Sequence, residues 1–150
     1  MKEEVLAAIN RLTYLLDNVT PLIKEIPATD FTHKPGPEKW SRQEIIGHLI
    51  DSAANNHHRF IRIQYEEVPV IYYDQNKWNT LSGYAAYDKD KLVQLWELYN
   101  RHLVEIIKRV PDAALTREGE SKNKERHALE WYITDYVAHL EHHLKQVVNY

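Results

Sequence analysis

The sequence predicts an all-α fold, a four-helix bundle with a long crossover connection. Four long segments place apolar residues at spacings of three and four, the period of an amphipathic helix. Only 4 glycines occur in 150 residues, which suits helices better than a many-turned sheet. All prolines except Pro21 fall between those segments. Consecutive amphipathic helices of this length bury their stripes against one another in a bundle. Two long connections predict a departure from simple up-down order.

The first helix is expected from Lys2 to Ile26, with a break near Pro21. Val5, Leu6, Ile9, Leu12, Leu15, Leu16 and Val19 mark its buried face. Pro27 to Lys39 holds Pro27, Pro35, Gly36 and Pro37 and reads as a connection. Ser41-Arg42-Gln43-Glu44 is a capping box that starts the second helix: the Ser41 hydroxyl accepts a first-turn N–H and Glu44 reaches back. That helix runs through Ile45, Ile46, Leu49, Ile50, Ala53, Phe60, Ile61 and Ile63 to about Glu66, with Pro69 its latest end. Val68 to Tyr87 is a long connection rich in Tyr and Trp, fitted to cover a site or to close a bundle end. The third helix is expected from Asp88 to Val110, before Pro111. Asp112 to Arg126 is polar, with room for a short hairpin. The fourth helix covers about His127 to Asn149.

The length suits one domain, residues 1–150. A 43% hydrophobic and 27% charged composition is that of a water-soluble chain. A formal charge of -3 argues against a nucleic-acid partner. The acidic start Met1-Lys2-Glu3-Glu4 lacks the apolar core of a signal peptide, and no run is long enough to span a membrane. Cysteine is absent, which excludes disulfides and thiolate ligands and fits a cytoplasmic location.

The most specific feature is Tyr136-Val137-Ala138-His139-Leu140-Glu141-His142-His143. His139 and His143, four apart, share one helix face. They flank the predicted buried stripe of Ile133, Val137, Leu140, Leu144 and Val147. Two imidazoles hold a divalent metal weakly; a third ligand from another helix completes the three-ligand, one-open-position layout of catalytic metals. His48 is the candidate. It shares a polar stripe with Asp51, Ser52, Asn55 and Arg59. An exposed face and a cleft wall give the same pattern, so periodicity leaves that choice open. His57 falls on the opposite side of the helix from His48, and His58 is offset by about 80°. His33, His102 and His127 read as surface or capping residues, and His142 as a surface or supporting one. The Glu at the third position of His139-Leu140-Glu141-His142-His143 excludes the zinc-protease motif.

Together these segments resemble the DinB-like superfamily, and within it the YfiT-like branch of metal-dependent hydrolases. The likeness is an ordered set: Trp40-Ser41, then Gly47-His48-Leu49-Ile50-Asp51-Ser52, then Pro69-Val70-Ile71 through Trp78, then the Tyr136 to His143 element. It implies a four-helix bundle with one long crossover, usually dimeric. It implies a metal, zinc or nickel, on His48, His139 and His143. It also implies a thiol S-transferase, which joins a low-molecular-weight thiol such as bacillithiol, mycothiol or glutathione to an electrophile. The chain departs from the family at Leu140-Glu141, where an aromatic or basic residue is common.

Three functions are consistent with these residues: a thiol S-transferase, a metal-dependent hydrolase of small amides or esters, and a non-enzymatic metal-stapled bundle. In the first two Asp51 orients a ligand or accepts the proton of the nucleophile. Asn55 and Gln146 are candidates for polar substrate contacts, and Trp78 with Tyr73 for an aromatic wall. Tyr136 reads as core.

Overall fold

A computed structural model describes all of residues 1–150. Its long helices are α1 (Glu3–Asn18), α4 (Arg42–Arg62), α6 (Lys89–Lys108) and α7 (Leu129–Val147). Three shorter ones lie in the connections: α2 (Thr20–Glu25), α3 (Ala28–Thr32) and α5 (Gln75–Ser82). A two-stranded antiparallel hairpin, β1 (Glu118–Glu120) with β2 (Arg126–Ala128), precedes α7.

The long helices form a ring in the order α1, α6, α4, α7. Side-chain pairs give their directions. The Met1 amino group reaches Asp112 beyond the end of α6, and Lys24 reaches Glu97 nearer its start, so α1 and α6 are antiparallel. Lys2 pairs with Glu130 and Arg11 with Glu141, so α1 and α7 are parallel. Gln43 bonds the carbonyls of Tyr84 and Tyr87 just before α6, while His57 meets Tyr99 farther along; α4 and α6 are therefore parallel. Arg59 lies over Tyr132 and His48 beside His143, which makes α4 and α7 antiparallel. Parallel neighbours cannot be joined by a tight turn. Residues 63–88 must run back along the bundle, and they carry α5 with them.

The bundle core is one apolar cluster to which all four long helices contribute. The predicted stripe of α7, Ile133, Val137, Leu140, Leu144 and Val147, is wholly buried. Leu6, Ile61 and Leu95 instead reach the surface, because their helices present narrower faces to the core than the apolar pattern spans.

Several boundaries differ from expectation. The first helix breaks at Val19, two residues before Pro21, which then sits in the first turn of α2 where its missing N–H costs nothing. α3 lies inside the expected connection and is held by Phe31, which is fully buried. α4 stops at Arg62 rather than near Glu66. There the Arg117 guanidinium donates to the carbonyls of Ile63 and Glu66, at 2.8 Å each, taking up acceptors the helix leaves open. α5 forms within a segment expected to be a loop. Asp74 caps its start by accepting from the Lys77 N–H, and Gly83 ends it at φ 70.

Candidate metal centre

α4 supplies the first imidazole. Its start is fixed by the predicted capping box: the Glu44 N–H donates to Ser41 Oγ at 3.1 Å, and the Ser41 N–H donates to the Glu44 carboxylate at 2.7 Å. With the start set, the helical period turns His48 toward α7. Gly47, just before it, lets the crossover come close. A Cβ there would meet the Tyr84 ring at 2.3 Å. The polar stripe of α4 is thus the wall of a cleft: His48, Asp51, Ser52 and Asn55 are all buried, covered by α7 and the crossover.

α7 supplies His139 and His143, one turn apart on its half-buried edge. The ring centres lie 5.2 Å apart for His48 and His139, 4.8 Å for His48 and His143, and 4.6 Å for His139 and His143. One nitrogen from each ring falls within 4.8 Å of the other two. Gln146 Oε1 lies 3.0 Å from His143 Nδ1. An amide oxygen only accepts, so Nδ1 carries the proton and Nε2 keeps its lone pair. The Trp40 ring sits 4.9 Å from that of His48 and shields it from water.

Burial favours the neutral form of all three rings, and repulsion within the triad adds to it at His48 and His139. Burial, then the charges of His143 and His139, push His48 down to about 3. Burial, then His143, pushes His139 down to about 4. Burial also lowers His143, against the Gln146 bond. Neutral imidazoles are the form that binds a metal. The geometry fits as well. Zinc–nitrogen bonds of 2.0–2.1 Å in a tetrahedron separate neighbouring nitrogens by about 3.4 Å. His48 Nε2 and His139 Nε2 are 3.5 Å apart, a separation at which a direct N–H···N bond is weak. The donor set therefore suits a divalent cation.

Around the centre, the structure separates the other predicted residues. Asp51 lies one turn beyond His48. Its Oδ1 accepts from the Tyr84 hydroxyl at 2.6 Å, and its Oδ2 is buried with no partner. Burial raises its pKa, with the Tyr84 bond opposing. His48 Nδ1 is likewise buried and unpartnered. Asn55 donates to the Asp51 carbonyl at 2.9 Å. Trp78, on α5, is partly exposed with its ring 5.3 Å from that of Tyr73. Gln146 bridges His143 and the exposed His142. A cleft of about 400 Å³, lined by Trp40, Arg42, Ile45 and Gln146 among others, adjoins the triad. A larger cavity of about 590 Å³ lies on the His57 side of α4, between it and Tyr99. Tyr84, which holds Asp51, is a residue that periodicity did not single out. Gly47 inside a buried helix was the one signal that something approaches closely there.

Fold and centre together define a helical-bundle protein with a three-histidine candidate metal site. The chain belongs to the DinB superfamily, whose family model matches residues 11–147. No curated protein matches it significantly in sequence. Among solved structures it is similar to YfiT from Bacillus subtilis, described as a probable metal-dependent hydrolase with an unusual four-helix bundle topology. The identity is 22% and the TM-score 0.87, over 98% of this chain and 85% of that one. It is also similar to a mycothiol-dependent maleylpyruvate isomerase, at 12% identity and TM-score 0.80, over 98% of this chain but 63% of the isomerase. A histidine-to-alanine variant of that isomerase matches at 11% identity and TM-score 0.81, over 100% of this chain and 65% of the other. At these identities the shared property is the fold. No helix of the chain is long and apolar enough to cross a membrane.

Proposed function

We propose that the chain is a metal-dependent S-transferase that joins a low-molecular-weight thiol to a small electrophile. The observation that carries the reading is the convergence of three neutral imidazoles, from two antiparallel helices, on one point beside a cleft. His48, His139 and His143 would hold the metal, zinc or nickel. A divalent cation on three neutral ligands keeps its full charge, and so lowers the pKa of a thiol or water brought to it.

The chain's own residues do the rest. Gln146 fixes the His143 tautomer, and Trp40 keeps bulk water from His48. Asp51 would receive the nucleophile's proton at Oδ2, the carboxylate oxygen that Tyr84 leaves free. Tyr73 and Trp78 supply an aromatic wall on the crossover, and Asn55 and Gln146 offer amides to polar substrate atoms. The likeness in fold to a mycothiol-dependent enzyme supports a thiol as the nucleophile. The likeness to YfiT supports a second reading, hydrolysis of a small amide or ester by the same residues with water in place of the thiol.

Metal content by mass spectrometry tests the centre, using protein purified without a histidine tag. About one metal per chain is expected in the wild type, and none in folded His48→Ala, His139→Ala or His143→Ala. Wild type that stays metal-free after incubation with zinc or nickel would overturn the reading. Omission of thiol then separates the two activities: a transferase stops and a hydrolase continues.

A further inference from the structure

The polar stripe of α4 does not end at Asp51. It continues to Arg59, which differs from the chain's other arginines. Arg11, Arg62, Arg101, Arg109 and Arg126 each pair with a carboxylate. Arg117 caps α4, and Arg42 is exposed. Arg59 is half-buried, and no carboxylate lies within 4.0 Å of it. Its Nη1 donates to Asn56 Oδ1 at 3.2 Å, and its Nη2 to the Ile71 carbonyl at 3.0 Å. Its guanidinium carbon is 4.9 Å from the centre of the Tyr132 ring. Nε is buried without any partner. Two of five N–H donors are thus engaged, and three are left.

A guanidinium stays charged even where burial opposes it, as burial does here. A charge withdrawn from water is costly unless an opposite charge meets it. Asp135 feels the charge of Arg59 without touching it. Helical side chains lean toward the helix N-terminus, which tilts Arg59 back toward His48. Arg59 therefore lies on the face of α4 that carries His48, Asp51, Ser52 and Asn55, held between Tyr132 of α7 and Ile71 of the crossover.

We infer that Arg59 anchors a carboxylate of the electrophilic substrate, so that the site selects an acidic electrophile over its neutral analogue. The planar fork of a guanidinium matches a carboxylate with two parallel bonds. The preference is local, since a chain of net charge -3 has no general attraction for anions. That the bound anion is a substrate rests on the proposed function; that the anion binds at Arg59 does not.

The test is a calorimetric titration of the full chain with maleate, dimethyl maleate and inorganic phosphate. It is run on metal-loaded and metal-stripped wild type, Arg59→Gln, Arg59→Lys and His48→Ala, with the Arg59 Nε–H followed by nitrogen-15 NMR. Maleate is expected to bind wild type at least about tenfold more tightly than its dimethyl ester or phosphate. Arg59→Gln should lose about tenfold in maleate affinity, and Arg59→Lys should recover part of it. The Arg59 dependence should persist in metal-stripped protein and in His48→Ala. Equal binding of diacid and diester overturns the inference, as do tighter binding of phosphate, an unmoved Arg59 signal, or unchanged affinity in Arg59→Gln. Should Arg59→Gln fail to fold, because Arg59 also tethers Ile71, the wild-type ligand pair and the Nε–H signal decide alone. Wild type that takes up no metal yet binds maleate through Arg59 would end the proposed function and leave the anion site standing. Metal uptake with no Arg59-dependent binding would do the reverse.

Discussion

Asp51 is governed by two opposed forces. Burial favours its protonated form, and the Tyr84 hydroxyl, donating at 2.6 Å, favours the carboxylate. Removing the hydroxyl leaves both oxygens without a protein donor. Tyr84→Phe should therefore cost about 1–3 kcal/mol in stability, the penalty for an unsatisfied buried group. It should also raise the Asp51 titration midpoint, seen by carbon-13 NMR of the carboxyl. An unmoved midpoint would show that solvent, not Tyr84, sets the state of Asp51. The residues of this site were unequally legible in the sequence. His139 and His143 were, because a spacing of four on an amphipathic helix fixes their common face. His48 was a candidate by residue type and by resemblance. Asp51 to Arg59 looked alike whether facing water or a cleft, since the wheel reports polarity and not what covers it. The Tyr84–Asp51 bond spans 33 residues and depends on how the crossover packs, which no local pattern encodes.

At the scale of elements, α4 is held by features at its start, middle and end. Its start carries the capping box and its end is closed by Arg117. In the middle, Gly47 trades helix propensity for close approach. Alanine there would favour the isolated helix by up to about 1 kcal/mol. Its Cβ would also stand 2.3 Å from the Tyr84 ring, and overpacking of this kind costs about 1–3 kcal/mol. Gly47→Ala should thus destabilise on balance and free Asp51 from Tyr84, read as a lower Tm together with the raised Asp51 midpoint. A higher Tm would mean that the crossover moves aside easily. Arg117→Ala should cost about 1–2 kcal/mol through two charge-assisted bonds to helix-end carbonyls. The long helices were legible because each carries several turns of apolar repeat. α5 was not: eight residues show little periodicity, and its only signs were Asp74 and Gly83 at the ends. α3 is shorter still, and its cause is the burial of one ring, Phe31.

The whole molecule places a costly arrangement at the junction of α4 and α7. Three imidazoles crowd together without a counter-charge, and folding must hold them neutral. A bound cation would repay this. At a metal concentration of a hundred times Kd it adds about 2.7 kcal/mol. For a chain of 150 residues that raises Tm by about 5–11 °C, and a chelator should reverse it. In metal-free protein the same crowding sets the pH dependence. The folded His48 and His139 titrate at about 3 and about 4, against 6.5 when unperturbed. Between those values the unfolded chain binds more protons than the folded one, so stability rises with pH. It should be level above 6.5 and fall as pH drops through 6 toward 4. His48 alone accounts for about 2 kcal/mol at pH 5. Asp51 works the other way, because burial raises its pKa and the folded state then binds the extra proton above 3.8, which softens the fall. Denaturant melts of metal-free wild type and His48→Leu at pH 7 and pH 5 measure the effect. The wild type should lose markedly more than the variant, which keeps the core filled but has no imidazole to protonate. Equal losses would mean that His48 takes up its proton without unfolding, and that the three rings are not held neutral by their burial.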